Sequence, residues 1–300
     1  MVTTVRTVLG DIPATELGAT DAHDHLFLRS PLLPGQELDD PVRAGESLRE
    51  FLRLGGRSVV QWTPHGMGRE PAALAALARG TGAHLVAATG LHRAAHYRPE
   101  PLSRIVGTAA ELFVSELTEG IGDTGVRAGL IKVAGGFHGL DAHARQTMRA
   151  AASAHHRTGA PIAVHLELGT GAMDVLGLLC RELDVPPQSV VLGHLGRCPD
   201  SVVHHEAAEA GAFLAFDGPS RANHATDWRL PELLLSLADA GYSDRLLLGG
   251  DTTTPDTPGM SHLLGPLRSR LELTLGESLL EQIFSGNPAR AFALAPHRKG

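Results

Sequence analysis

The chain has 300 residues, 43% hydrophobic content and a formal net charge of −7, enough material for a large core and the wrong balance for a nucleic-acid surface. Cys180 and Cys198 are too few for a disulfide framework, so a reducing cytoplasm is the expected location. No signal-peptide h-region opens the sequence and no apolar run reaches the roughly 18 residues of a membrane span, so no membrane partner is expected.

Short apolar or β-branched runs alternate with longer amphipathic ones. Strands are predicted at Ala19–His25, Ser58–Thr63, Leu85–Leu91, Gly129–Ala134, Ile162–Leu166, Val190–His194, Phe213–Phe216 and Arg245–Gly250. Helices are predicted at Ser47–Leu54, Pro71–Arg79, Ser103–Glu119 and Asp141–Thr158, then at Gly171–Leu183, Pro199–Ala210, Leu230–Ala240 and Glu277–Phe284. This strand-then-helix repetition suits an α/β fold of the closed parallel type, a (β/α)8 TIM barrel. No low-complexity linker divides the chain, so residues 1–300 read as a single domain with a short N-terminal extension. An open doubly wound sheet is the competitor, but its G-x-G-x-x-G fingerprint follows none of the strands.

Six residues at or near strand ends form a candidate metal-ligand set: His23, His25, Lys132, His165, His194 and Asp251. A parallel barrel gathers those ends on one face. His23 and His25 in AHDHL lie two apart on a strand and share a face, with Asp24 pointing the other way. Two hydrogen-bonded core histidines are the alternative. Lys132 in GLIKVAGG has apolar neighbours, where an ammonium is costly. It is either a snorkelling or salt-bridged lysine, or one whose amine has reacted with carbon dioxide to give a carbamate, an anionic oxygen ligand that can bridge two divalent ions. His165 in IAVHLE and His194 in VVLGHLGR each follow an apolar run; alone, each reads as structural, and together with the others as ligands. Asp251 in LLLGGDTTTP can ligate and also accept a proton as the catalytic base.

These motifs, in this order, resemble the phosphotriesterase family of the amidohydrolase superfamily. The likeness takes in TVLGDI near the start, AHDHL, TPHGMGREP, LIKVA, AVHLE, GHLGR, GGD and the closing NPARAF. The resemblance implies that His23, His25 and Asp251 hold the more buried of two metal ions and His165 and His194 the more exposed one. Carbamylated Lys132 and a hydroxide would bridge them. Zinc suits the mixed nitrogen and oxygen donors, and cobalt, manganese or iron also fit. The expected activity is hydrolysis of a small-molecule lactone, carboxyl ester or amide, with phosphotriester, phosphoester or N-acyl amine hydrolysis as alternatives. A mononuclear deaminase would leave Lys132 without a role. A non-catalytic metal-binding protein on this fold is the remote alternative, against which the intact ligand set argues. Barrels of this kind often pair through outer helices, which leaves a homodimer open.

The substrate loops are more individual. His92 in TGLHRAAHY stands where lactonases of the family carry an aromatic, and Tyr97 follows a few residues on. FDGPSR has Gly218 after Asp217 and Arg221 three residues later, where the family tends to place arginine directly after the aspartate. His92, Tyr97, His138 and Arg221 are the substrate-binding candidates, with His224 nearby; solvated loop positions are the other reading of each. The Thr-, Pro- and Gly-rich stretch Thr252–Leu267 is expected to form a lid. Asp21 and Glu167 are placed to orient the imidazoles. His155, His156, His204 and His205 fall in helical runs of the outer ring, and Cys180 and Cys198 read as packing.

Overall fold

The apolar runs fold as short strands buried on both faces in a computed structural model that describes residues 3–219, 224–255 and 259–296. Ahead of the barrel, Thr4–Thr7 (β1) and Gly10–Pro13 (β2) pair antiparallel as a hairpin. The barrel strands are Thr20–Asp24 (β3), Ser58–Gln61 (β4), His84–Val86 (β5), Ala88–Gly90 (β6) and Leu130–Ala134 (β7). They continue as Ile162–His165 (β8), Val190–Gly193 (β9), Phe213–Asp217 (β10) and Leu246–Gly249 (β11). β3 to β5 pair in parallel in chain order, and so do β6 to β11. β5 and β6 share one strand position interrupted at Ala87, whose carbonyl accepts from Gly129 N at 2.9 Å. The ring closes where β11 meets β3: Asp251 N donates to His23 O at 2.9 Å, and Gly250 N to Asp21 Oδ1 at 3.0 Å. The fold is the (β/α)8 barrel.

Period-two alternation splits the core into two layers. Inside the ring pack Val60, Leu130, Ala163, Val191, Ala215 and Leu247, with Val5, Leu17 and Phe292 plugging the N-terminal end. Outside it, Val59, Ile131, Val164, Leu192, Phe216 and Leu248 meet the helices. Each such fully buried side chain contributes about 1.5–3 kcal/mol from removal of apolar surface from water. The hairpin is the N-terminal extension, and it seals the end of the barrel opposite the site.

The helices start where the sequence supplies caps. Asp40 accepts from Val42 N at 2.8 Å and Arg43 N at 3.3 Å at the head of Pro41–Arg53, and Asp141 accepts from Ala144 N at 2.7 Å at the head of Ala142–Thr158. Four expectations need correction. The helix expected over Ser103–Glu119 is two, Pro99–Gly107 and Ala109–Thr118, broken at Thr108 (φ −119°, ψ 16°) beside the poor helix former Gly107. Gly171–Leu183 passes from α-helix (Ala172–Leu176) into a wider π turn (Gly177–Glu182). Most of the expected lid is anchored helix: Gly259–His262 runs through a π turn, Leu263–Leu267, into Arg268–Leu275, with Met260, Leu263 and Leu264 buried. His224 likewise opens a short helix, His224–Asp227, rather than lying in a loop. Among the described residues no helix is long and apolar enough to cross a membrane.

Candidate metal centre

His23 and His25 stand at the end of β3, Lys132 within β7, His165 at the end of β8, His194 just after β9 and Asp251 shortly after β11. All six line one cavity of about 360 Å³ at the C-terminal end of the barrel. His165 is partly exposed and the others are buried.

Hydrogen bonds fix which imidazole nitrogens face that cavity. Thr63 Oγ1 donates its one proton to Phe27 O (2.6 Å), so it accepts from His25 Nδ1 (2.7 Å), leaving His25 Nε2 bare. His23 Nδ1 donates to Asp217 Oδ2 at 2.7 Å, and its ring stacks on Trp62 with centroids 3.8 Å apart. The two Nε2 atoms come within 3.6 Å (His23) and 3.7 Å (His25) of Asp251 Oδ1. These three side chains form one compact donor group.

A second group is arranged beside it. His194 Nδ1 donates to Asp217 Oδ1 at 2.6 Å, and its Nε2 lies 2.7 Å from His165 Nδ1. His165 Nε2 donates to Glu167 Oε2 at 2.9 Å, and that carboxylate in turn pairs with Arg93 at 2.6 Å. With those ring protons placed, His194 Nε2 and His165 Nδ1 are the nitrogens left facing one another. Burial works against charge on His194, but Asp217 and Asp251 outweigh it and raise its pKa. His165 is pushed well below the usual range by burial and by His194. Burial also lowers His23, against the pull of Asp217 and Asp251.

Asp217, fully enclosed between His23 and His194, is the main functional residue that sequence reasoning passed over. With those histidines it forms a dense cluster of its own. Both Nδ1–H groups point at its oxygens, so it orients ligands rather than offering an open ligand position. Its charge is secured the same way: burial opposes ionisation, but His194 and His23 hold its pKa well below the usual carboxylate range. Asp251 is also lowered, burial being outweighed by His194 and His23.

Lys132 is 2% exposed, and burial drops its ammonium to about 7 against a weaker opposing pull from Asp251. Below the cavity, Asp21 Oδ1 accepts from His23 N and Gly250 N, while Asp24 Oδ1 accepts from His25 N and Thr252 N. These carboxyls tie the first strand to the last. Burial, then the neighbouring Asp24 charge, raises Asp21 well above its ordinary value.

Backbone strain marks the same rim. His194 (φ 65°), Asp251 (φ 47°) and Leu168 (φ 50°) adopt left-handed conformations unusual for residues with a Cβ, as at many functional sites. Gly193 is needed for another reason: a Cβ there would sit 2.9 Å from Trp62 Cζ3, beneath His23.

The substrate candidates separate. His92 is buried and lines the cavity, its ring centroid 4.5 Å from that of His165. Burial, and then Lys132, press its pKa well below the usual range. Tyr97 does not line the cavity; its hydroxyl accepts from His92 N at 2.8 Å and donates to His65 O at 3.0 Å. His138 is exposed, packs on Phe137 and is absent from the cavity wall. Arg221 lies outside the described residues. Side chains not singled out from the sequence complete the wall, among them His96, Arg93, Arg197 and an apolar group of Leu28, Leu32, Leu33 and Met67.

The family model for phosphotriesterases matches residues 3–292. The chain belongs to the phosphotriesterase family. It is similar to a phospho-furanose lactonase of Mycoplasmopsis synoviae, at 28% identity over 98% of this chain and 92% of that one. An aryldialkylphosphatase of Saccharolobus solfataricus is 28% identical over 80% of this chain and 78% of its own length. The crystal structure of a lactonase from Listeria monocytogenes superposes with a TM-score of 0.91 at 27% identity, covering 98% of this chain and 100% of that one. The chain is thus a metal-dependent hydrolase of this family acting on a small molecule. The nitrogen donors of His23, His25, His165 and His194 with the carboxylate of Asp251, and no thiolate among them, suit divalent ions.

Proposed function

We propose that this chain is a binuclear metal-dependent hydrolase of a lactone, carboxyl ester or amide. The observation that carries the reading is the convergence of two donor groups, with tautomers fixed by Thr63, Asp217 and Glu167, on one cavity that also contains Lys132. His23, His25 and Asp251 would hold one ion and His165 with His194 the other, Lys132 bridging as its carbamate. Two divalent ions held there supply hydroxide near neutral pH and polarise the electrophilic oxygen of the substrate.

The protein groups do the rest. Lys132 is supported as the bridge because a buried amine with a pKa of about 7 is about half unprotonated at neutral pH, against almost none for an ordinary lysine. Its nitrogen can then form a bond to the carbon of CO2 and release a proton to solvent. Asp251, held ionised, takes the proton of the attacking water and delivers it to the leaving group. Asp217 and Glu167 keep the imidazoles turned inward throughout. The lactonases among the relatives favour a cyclic ester, and the aryldialkylphosphatase keeps a phosphoester in view as the second reading.

Metal analysis of protein purified with bicarbonate is expected to give close to two equivalents per chain, with a carbamate resonance after labelling with 13C-bicarbonate. Lys132→Ala should lose metal and hydrolysis together; a variant with both intact would sink the reading. A panel of lactones, esters, N-acyl amino acids and phosphoesters identifies the leaving group.

A further inference from the structure

We propose that His92 is a substrate-polarising residue, a neutral imidazole whose Nε2–H is held ready to donate to the scissile carbonyl or phosphoryl oxygen. This rests on the hydrolase reading above and adds a donor from the protein itself.

The tautomer follows from one contact. Arg93 N lies 2.7 Å from His92 Nδ1, and a backbone amide can only donate. Nδ1 is therefore bare, and the proton of the neutral ring is on Nε2. His92 is 8% exposed, lines the cavity, and its Nε2 has no protein acceptor among the described residues. That atom keeps some access to the cavity, so a ligand or water there can accept its hydrogen.

The surroundings immobilise this ring more than packing alone requires. His92 N donates to Tyr97 Oη at 2.8 Å, and His143 Nε2 donates to His92 O at 2.8 Å. The imidazole stacks on His96 with centroids 4.1 Å apart and planes 17° from parallel, and His96 is itself tethered through Nδ1 to Ser30 Oγ at 2.8 Å. The ring of His165 lies 4.5 Å away between centroids. A donor fixed in this way reorganises little as charge develops on the substrate oxygen, the condition under which such groups stabilise a transition state. It matches a substrate that presents an acceptor oxygen beside His165.

The test replaces His92 in the full, metal-loaded chain with Nε2-methylhistidine, which keeps the ring stack and the bare Nδ1 but removes the donor; His92→Phe is the second variant, without the added methyl. Both should lower kcat about 10²–10³-fold with little change in KM or in bound metal. In 15N-labelled wild-type protein, His92 should show a protonated Nε2 and a bare Nδ1. Wild-type kcat in either variant, or a proton on Nδ1, overturns the donor role alone. A wild-type chain that holds no metal and hydrolyses no member of the panel overturns the hydrolase reading with it.

Discussion

Asp217 gives one oxygen to His23 and the other to His194, so a single buried carboxylate sets the ring orientation in both donor groups. Asparagine is nearly isosteric but can accept at only one end; its amide would face one imidazole donor with another donor. Asp217→Asn should weaken metal binding about 10–100-fold, measured by competition with a chromophoric chelator. Wild-type affinity would show that the tautomers are held by something else. The six proposed ligands were legible because each punctuates an apolar run. Asp217 carries the same signal, a carboxylate one residue past the predicted strand Phe213–Phe216, but nothing in the sequence distinguishes a residue that touches metal from one that holds the residue that does. Likewise, Thr63 and Tyr97 act through single hydroxyl bonds, and their partners cannot be known before the loops are placed.

Among the elements, the strands were readable because burial on both faces writes them as continuous apolar runs. The irregular ends were not. The break at Thr108, the π turns and the helix that replaces the expected lid depend on tertiary contacts, such as those burying Met260 and Leu263. Histidine pairs in the outer helices show the same limit. Neighbours on a helix point about 100° apart, so His155 and His204 turn inward onto backbone carbonyls while His156 stays exposed. The end of β9 is closely packed. Gly193→Ala would push a methyl into Trp62 and toward Asp217 Oδ2, 3.3 Å away, displacing the platform on which His23 stacks. The expected destabilisation is about 1–3 kcal/mol by urea unfolding, and an unchanged midpoint would mean that the ring yields freely.

Across the whole molecule, the helix Ala109–Thr118 is locked to the barrel through Glu116. Its carboxylate pairs with Arg69 and accepts from Thr89, and His65 Nδ1 lies 3.1 Å away. Burial alone would raise the Glu116 pKa, but Arg69 and then His65 bring it down to about 2 from 4.5. A depressed carboxyl pKa stabilises the fold above the unfolded value, and that stabilisation is lost as pH falls from about 4.5 toward about 2. A shift of this size corresponds to about 3 kcal/mol. Glu116→Gln should therefore be less stable than the native chain by about that much at neutral pH, with the gap narrowing steadily in urea titrations below pH 4.5. A gap that ignores pH would mean the pair contributes through packing alone.

The bond from Gly250 N to Asp21 Oδ1 joins positions 229 residues apart. Until the last strand has left the ribosome, a nascent chain offers His23 and His25 without the aspartate that completes their group, and the first strand without its final neighbour. Competence to retain a cation thus arrives late in synthesis and in a single event. Any early capture by the histidines alone would be weak and readily reversed.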